Sequence, residues 1–415
     1  MTFRINYSHK RRAAVAPIAA LLMGFMVGML AFSIDIGYIC SVQAELQDAA
    51  DAAALAAAQQ LQNPFVAYYS PGQTQQQQIY LTVTTDTSNS SSPIPTAQRF
   101  ALYNQAGGAY IRVQSSDVSF DYYDGTTFQT PSYASNLFPN TVTVTTRRDS
   151  NANGSLGLFF ASVFGISSID LTATASATMY AGDVTSQNPI QNAETAMIPV
   201  GLDIYTWVAF ASGNFTFLNG NFSSPSAYLS SSNVTIGPNG LAQLQVYPAP
   251  TNTPGSFGLI DIGVPSNNTP AFRSWIDDGQ TPNDITYLLN NSLLPVSSSN
   301  PEPWKVGPGL KSTLVSNFQS IMGVPSLIPL FVPVSPLPNY VAASGNGQNA
   351  TYAVVGFAGV TITQADGNGN NMNISIQPSA IVPTNAVINN AKPAGTQQSQ
   401  FQTPLTTFVS AKLTR

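Results

Sequence analysis

One cysteine and one histidine occur in 415 residues, and only 8% of the chain is charged. Each scarcity excludes a class of chemistry. A lone thiol, Cys40, can close no intrachain disulfide and can build no cysteine-based zinc site. His9 precedes the long apolar run, so everything after that run lacks Ser-His-Asp or Cys-His catalysis and any histidine metal site. The charged fraction is far below the roughly 25% of an average soluble domain. Ser, Thr, Asn and Gln replace the missing charge, with 30 Gly and 30 Pro. Such a neutral, hydroxyl- and amide-rich surface suits an exported protein.

Clustered basic residues are missing as well. Four of the 14 Lys and Arg are Arg4, Lys10, Arg11 and Arg12; the other 10 stand against 19 acidic residues, a balance of −9 beyond the apolar run. Phosphate binding needs clustered Lys and Arg. Arg147-Arg148 is one pair at a predicted strand end, read as solvated, and nucleic acid is not an expected partner.

What is present begins at Ala13–Ile34, 22 residues without a charge. As a helix this run is about 33 Å long, enough to cross a bilayer. Basic residues in front, with Asp35, Glu45, Asp48 and Asp51 behind, put the N-terminus inside and the rest of the chain outside the cytoplasm. A cleavable signal ending at Ala31-Phe32-Ser33 is the rival, but signal h-regions run about 7–15 residues and this one is longer. Pro17 falls in the first turn, where a helix tolerates it. Lipidation of Cys40 needs a small residue before it, and Ile39 is not small. Nothing from 13 to 34 is acidic, which separates this segment from type IV prepilins.

Beyond the run, Ile39, Val42, Leu46, Ala49, Ala53 and Ala56 recur at spacings of 3, 4, 3, 4 and 3, a heptad seam flanked by Gln43, Gln47, Asp48 and Asp51. Alanine has the highest helix propensity and lets a facing backbone approach closely. The helix is expected to end by Asn63-Pro64. Two readings stay open for the seam: packing on the chain's own body, or contact with other membrane proteins or second copies of the chain. Fewer than three heptads make a weak autonomous coiled coil.

The stretch "RRAAVAPIAALLMGFMVGMLAFSIDIGYICSVQAELQDAADAAALAAA" resembles the N-terminal segment of TadG-like proteins of the Tad (tight adherence, Flp pilus) assembly system. The resemblance rests on Arg11-Arg12, Ala16-Pro17, the apolar span, Asp35-Ile36-Gly37 and the run from Glu45 to Ala56. It covers about the first sixty residues. The family has Gly more often than Ala soon after the arginines. Weaker similarity continues through "PNTVTVTTRRD" and "LGLFFASVFGISSIDLTATASATM", then "SFGLIDIG", "IMGVPSLIPLF" and "YAVVGFAGVTIT". The resemblance implies a membrane-anchored accessory of pilus assembly or surface attachment rather than a catalyst. Its partners would be membrane lipid along 13–34 and other pilus-assembly or envelope proteins, with self-association through the stem. A surface adhesin or matrix-binding protein sharing only the anchor is the alternative.

The expected fold class is α+β: a transmembrane helix, an Ala-rich helical stem, then a mostly β body with antiparallel sheets and a few short helices. The expected divisions are a basic cytosolic tail 1–12, a transmembrane helix 13–34 and a stem 35–62. A first α+β module 63–183, a second β-rich module 184–385 and a loose polar tail 386–415 follow. Within them, 71–95 reads as an irregular insertion around a strand at 79–85, and "TAQRFALYNQAGG" as a short helix. "YIRVQSSDVSFDYYDG", "NTVTVTTRR" and "SIDLTATASATM" alternate as antiparallel strands do, and "LGLFFASVFG" reads as a short packing helix. Farther on, Leu310, Leu314, Phe318 and Ile321 share one helical face, and prolines at 325, 329, 333, 336 and 338 disfavour long central strands there.

No constellation points to catalysis, a cofactor or a metal. Asp277-Asp278 and Asp121 with Asp124 are paired carboxylates of the kind that cap turns. "DGNGNN" (366–371) begins like a calcium loop but has Asn371 at position six and Gln377 at position twelve, and reads as a hairpin turn. "DTSNS" (86–90) fits the Asp-x-Ser-x-Ser metal motif of von Willebrand A domains, yet "IYLTVTT" alternates instead of forming the buried parallel strand that site needs; a polar loop is expected. Asn214-Phe215-Thr216 and Asn233-Val234-Thr235 read as chance sequons.

Overall fold

A computed structural model describes residues 15–190, 196–211, 233–247, 259–266, 268–307, 312–332, 351–367, 373–396 and 406–414. His9, the basic tail, Leu310 and Asn214-Phe215-Thr216 lie outside them. The architecture is α+β. One helix, α1 (Val15–Gln59), contains both the apolar run and the stem without a break. Its apolar part, long enough to cross a membrane, is not buried in the body at all.

Three short helices follow: α2 (Gln62–Tyr69), α3 (Gln76–Thr85) and α4 (Pro93–Leu102). The strand expected at 79–85 is thus helical. Thr84 and Thr85 donate their hydroxyls to the carbonyls of Tyr80 and Leu81, four residues back, so the threonines are satisfied inside a helix. A tight hairpin, β1 (Gln105–Ala106) and β2 (Ala109–Tyr110), leads into β3 (Val118–Tyr123), β4 (Phe128–Gln129) and β5 (Thr141–Arg148). The minimal pair β6 (Leu156–Gly157) and β7 (Ser168–Ile169) frames a 3-10 turn at Ala161–Phe164, before the 17-residue β8 (Leu171–Gln187).

The second region holds β9 (Leu202–Asp203), α5 (Ile204–Ala211), β10 (Val234–Ile236), β11 (Ala242–Tyr247), α6 (Thr269–Asp277), α7 (Pro282–Asn290) and β12 (Glu302–Lys305). It continues through α8 (Val315–Ser320), β13 (Pro325–Val332), β14 (Thr351–Asp366) and β15 (Asn373–Pro378). Leu314 and Phe318 are buried, with Ile321 packed beside them, as the amphipathic spacing requires. The chain closes with β16 (Ala386–Pro393) and β17 (Phe408–Leu413).

Each sheet is organised around one long strand. In the first, β8 pairs with β5 and β16 in succession along one edge and with β17 along the other, and β3 and β4 extend the sheet beyond β5. In the second, β14 holds β13 on one edge, and β12 then β15 on the other; β11 and β10 continue past β15. All these pairings are antiparallel; β9 runs parallel to β13.

This topology corrects the expected tail. Its described residues form two strands: β16 and β17 complete the first sheet, their polar composition being no obstacle to backbone pairing along β8. Nor does the chain divide at 183, since β8 runs through that position to Gln187. The second region is an insertion between two strands of the first sheet. Two cores are buried, and Val184 of β8, with Ala386 and Ile388 of β16, joins the second region's core. Trp207, Trp304, Phe331 and Tyr352 centre one, while the other joins the stem, α2 and α4 to the first sheet around Tyr68, Phe138 and Phe408.

Candidate functional site: the joint between stem and body

The residues with the most explicit structural task lie where α1 leaves its apolar run and enters the body. Val42, Leu46, Ala49 and Ala53 are fully buried, as are Ala50, Ala54, Ala57 and Ala58. They share a core with Ala173, Ala175, Ala177 and Ala181, the inward residues of β8. Alanine faces alanine, so helix and sheet backbones come close with little side-chain volume between them. Ile39 packs partly buried at the lower end of this core, and Ala56 is half-buried. Five of the six seam residues thus pack on the chain's own body. The stripe Gly37, Ser41, Ala44 and Asp48 is exposed.

The opposite face of β8 carries hydroxyls instead. Thr145 meets Thr174, Thr143 meets Ser176 and Thr141 meets Thr178, at 3.1, 2.7 and 2.7 Å. This Thr/Ser ladder stabilises the strand pair as cross-strand pairs do.

Polar ties fix the height of the stem on the sheet. Gln43 donates to the Thr172 carbonyl at 2.8 Å and Gln47 to the Thr174 carbonyl at 3.3 Å, while the Thr146 hydroxyl donates to the Leu46 carbonyl at 2.8 Å. Glu45 accepts the Gly107 N–H at 2.7 Å.

Lowest on the stem is Asp35, which follows directly on the apolar run and is only 2% exposed. Its carboxylate accepts three successive backbone N–H groups, from Phe159 and Phe160 at 2.9 and 3.0 Å and from Ala161 at 2.6 Å. Burial pushes this carboxyl up, but the three donors outweigh it and hold it below the ordinary carboxylate range. The sequence marks Asp35 as a topology signal; its task as a clamp on a segment over a hundred residues away leaves no local trace.

Residues 13–60 match the family Tad, described as putative Flp pilus-assembly TadE/G-like. Over its anchor and stem, this chain resembles that family. The match ends where the stem leaves the buried seam, so the segment that defines the resemblance is also the one that forms the joint. No curated protein and no solved structure matches the chain. The matched segment coincides with the long apolar helix, a candidate membrane anchor, and suggests involvement in Tad/Flp pilus assembly.

The other sequence features take structural places. Asp86 accepts from the Ser88 N–H and hydroxyl at 2.8 and 2.7 Å and from the Ser92 hydroxyl at 2.7 Å, which lowers its pKa to about 2. It closes the polar loop between α3 and α4, with no parallel strand behind it. Asp124 closes a turn with Thr126 and Thr127, and Asp121 accepts from Thr143 at 3.2 Å. Asp277 ties α6 to α8 by accepting from Asn317 at 2.7 Å; Asp278 caps α6. Asp366 and Asn373 pair across the β14–β15 hairpin, although 368–371 of "DGNGNN" lie outside the described residues. The arginine pair is not simply solvated. Arg148 is buried and donates to the carbonyls of Gly154 and Ala106 at 2.8 and 2.6 Å, and Arg147 pairs with the buried Asp117.

Proposed function

We propose that this protein is a membrane-anchored, non-enzymatic accessory of Tad/Flp pilus assembly, working by protein contact outside the cytoplasmic membrane. The observation that carries this reading is the coincidence of the TadE/G-like segment with a stem built into the body. The anchor does not hang a free domain on a tether; the body is built onto the stem, so its height above the bilayer follows from the anchor. An assembly component that receives or positions other envelope proteins needs such a fixed platform, whereas a catalyst released into solution does not. The basic residues before the apolar run support an N-terminus in the cytoplasm and a body outside it.

The stem seam, occupied by the chain's own sheet, leaves Gly37, Ser41, Ala44 and Asp48 as the face on which other envelope proteins, or a second copy, meet the stem. The test is deletion of the gene, with surface pili and adherence scored, and complementation by the full chain or by an exported form starting at Asp35. Loss of pili restored only by the anchored form supports the assembly role. Normal pili with lost adherence, restored by the exported form, replaces it with an adhesin.

A further inference from the structure

The loop between β6 and β7 is apolar and points outward. From Leu156 to Ile169 it has no charged residue. Val163 is 82% exposed, Phe164 76% and Phe159 62%, with Phe160 and Ile166 exposed beside them. The segment was expected to pack as a helix against the sheet. Instead it makes a single 3-10 turn, Ala161–Phe164, closed by Gly165 at φ +84°, and turns its large side chains away from the core. Contiguous exposed apolar side chains of this size mark a surface that something covers.

Its position identifies what covers it. Descending the stem, Gln47 meets Thr174, Gln43 meets Thr172, and Asp35 meets residues 159–161. Between Gln47 and Asp35 the helix drops by about 18 Å at 1.5 Å per residue. The loop is therefore the part of the first sheet's frame nearest the apolar run. Asp35 holds it at the level where α1 emerges, and the Phe159 ring lies 5.2 Å from that of Tyr38. Ile34 and Ile36, on either side of Asp35 in α1, are also exposed.

We infer that this loop is a second membrane contact: Phe159, Val163 and Phe164 enter the headgroup–acyl boundary of the bilayer that α1 spans. Asp35 makes this insertion possible. Three N–H groups beside lipid would be costly to leave without acceptors, and the carboxylate takes all three, so the turn presents hydrocarbon with these donors already bonded. A single helix fixes depth but leaves the body free to tilt and to rotate about the membrane normal. A second contact beside it removes the tilt. The inference rests on α1 spanning the bilayer, not on the pilus role.

The test uses the full chain with Phe164→Trp, reconstituted in phosphatidylcholine vesicles with acyl chains either plain or brominated near the headgroup end. Trp207, Trp275 and Trp304 are buried in the second region and supply a constant background. Tyr110→Trp, exposed on the β1–β2 hairpin tied higher up the stem, is the aqueous control. Vesicle flotation reports separately that α1 is inserted. The expected result is blue-shifted emission from the introduced indole that loses most of its intensity in brominated lipid, with the control unaffected. Red-shifted, unquenched emission from floated protein would overturn the inference and leave the loop in water. Blue-shifted but unquenched emission would overturn it too, assigning the patch to a second copy of the chain.

Discussion

Glu45 on the stem accepts the N–H of Gly107 at 2.7 Å, joining a helix beside the membrane to a hairpin more than sixty residues later. Gly107 has φ +57°, and a Cβ there would stand 2.9 Å from Leu156 Cδ1, 3.0 Å from Arg148 Nη1 and 3.2 Å from the Tyr38 hydroxyl. Stem, strand end and hairpin converge on a position where a Cβ would require three side-chain ends to shift. Gly107→Ala is expected to cost roughly 1–3 kcal/mol from the left-handed backbone alone, with crowding adding to it. The measurement is the urea midpoint of the full chain in micelles, and an unchanged midpoint refutes it.

The alanine-on-alanine contact predicts a steep dependence on size. Ala53→Leu should destabilise by roughly 1–3 kcal/mol through overpacking. Glu at Ala49 and Ala53 together should detach the stem from β8, because it buries charge without a partner. Proteolysis near the stem, slow in the parent, would become fast; equal rates would show that the seam tolerates the charges.

Asn140 is buried and joins three strands. Its amide donates to the carbonyls of Tyr123 and Ala394 at 2.9 and 2.8 Å, and its oxygen accepts the Tyr123 N–H at 2.8 Å. Truncation to Ala strands these groups out of reach of water, an expected loss of roughly 3 kcal/mol. Asn140→Asp restores only the acceptor and should be little better. Thermal unfolding of both variants tests this, and a Tm near that of the parent for Asn140→Ala refutes it.

Two buried carboxylates give the second region an unusual pH response. Burial raises Asp203 to about 6, against the Thr206 hydroxyl and Tyr205 N–H that donate to it. Burial likewise raises Asp261 to about 6, opposed by the Ser266 N–H and Lys305. An unfolded aspartate loses its proton near pH ~4. Between pH ~4 and ~6 the folded state retains protons that the unfolded state has released, so stability falls as pH rises through this window. Asp86, lowered to about 2, works in the opposite sense but below pH ~4, where its contribution is lost on acidification. Urea midpoints should drop between pH ~4.5 and ~6.5, and Asp203→Asn should flatten the slope. A rising midpoint in the parent would contradict the assignment.

How much of this is legible in the sequence follows from the range of the interactions involved. The apolar run and the 3-4 recurrence from Ile39 to Ala56 are local patterns; α1 runs through both, with Val42, Leu46, Ala49 and Ala53 buried. The Thr/Val alternation of 141–148 and 171–178 likewise gives two paired strands. Gln76–Thr85 misleads because alternation of Ile79, Leu81 and Val83 looks like a strand, although threonines that bond back along a helix satisfy the same composition. The strands at 386–413 are invisible for a different reason. Their polar residues specify no face, and what orders them is the unfilled edge of β8, some two hundred residues earlier in the chain. Asp35 shows the same limit, since an acid after an apolar run is expected on topological grounds whatever it binds.

β8 acquires its last neighbour only when Phe408–Leu413 arrives. On the proposed topology, with the chain exported from its anchor onward, that strand stays half-paired through the emergence of the second region. The first sheet therefore closes last, and a chain lacking Phe408–Leu413 carries an open strand edge on β8. Arrival of β17 is thus the step that seals the fold.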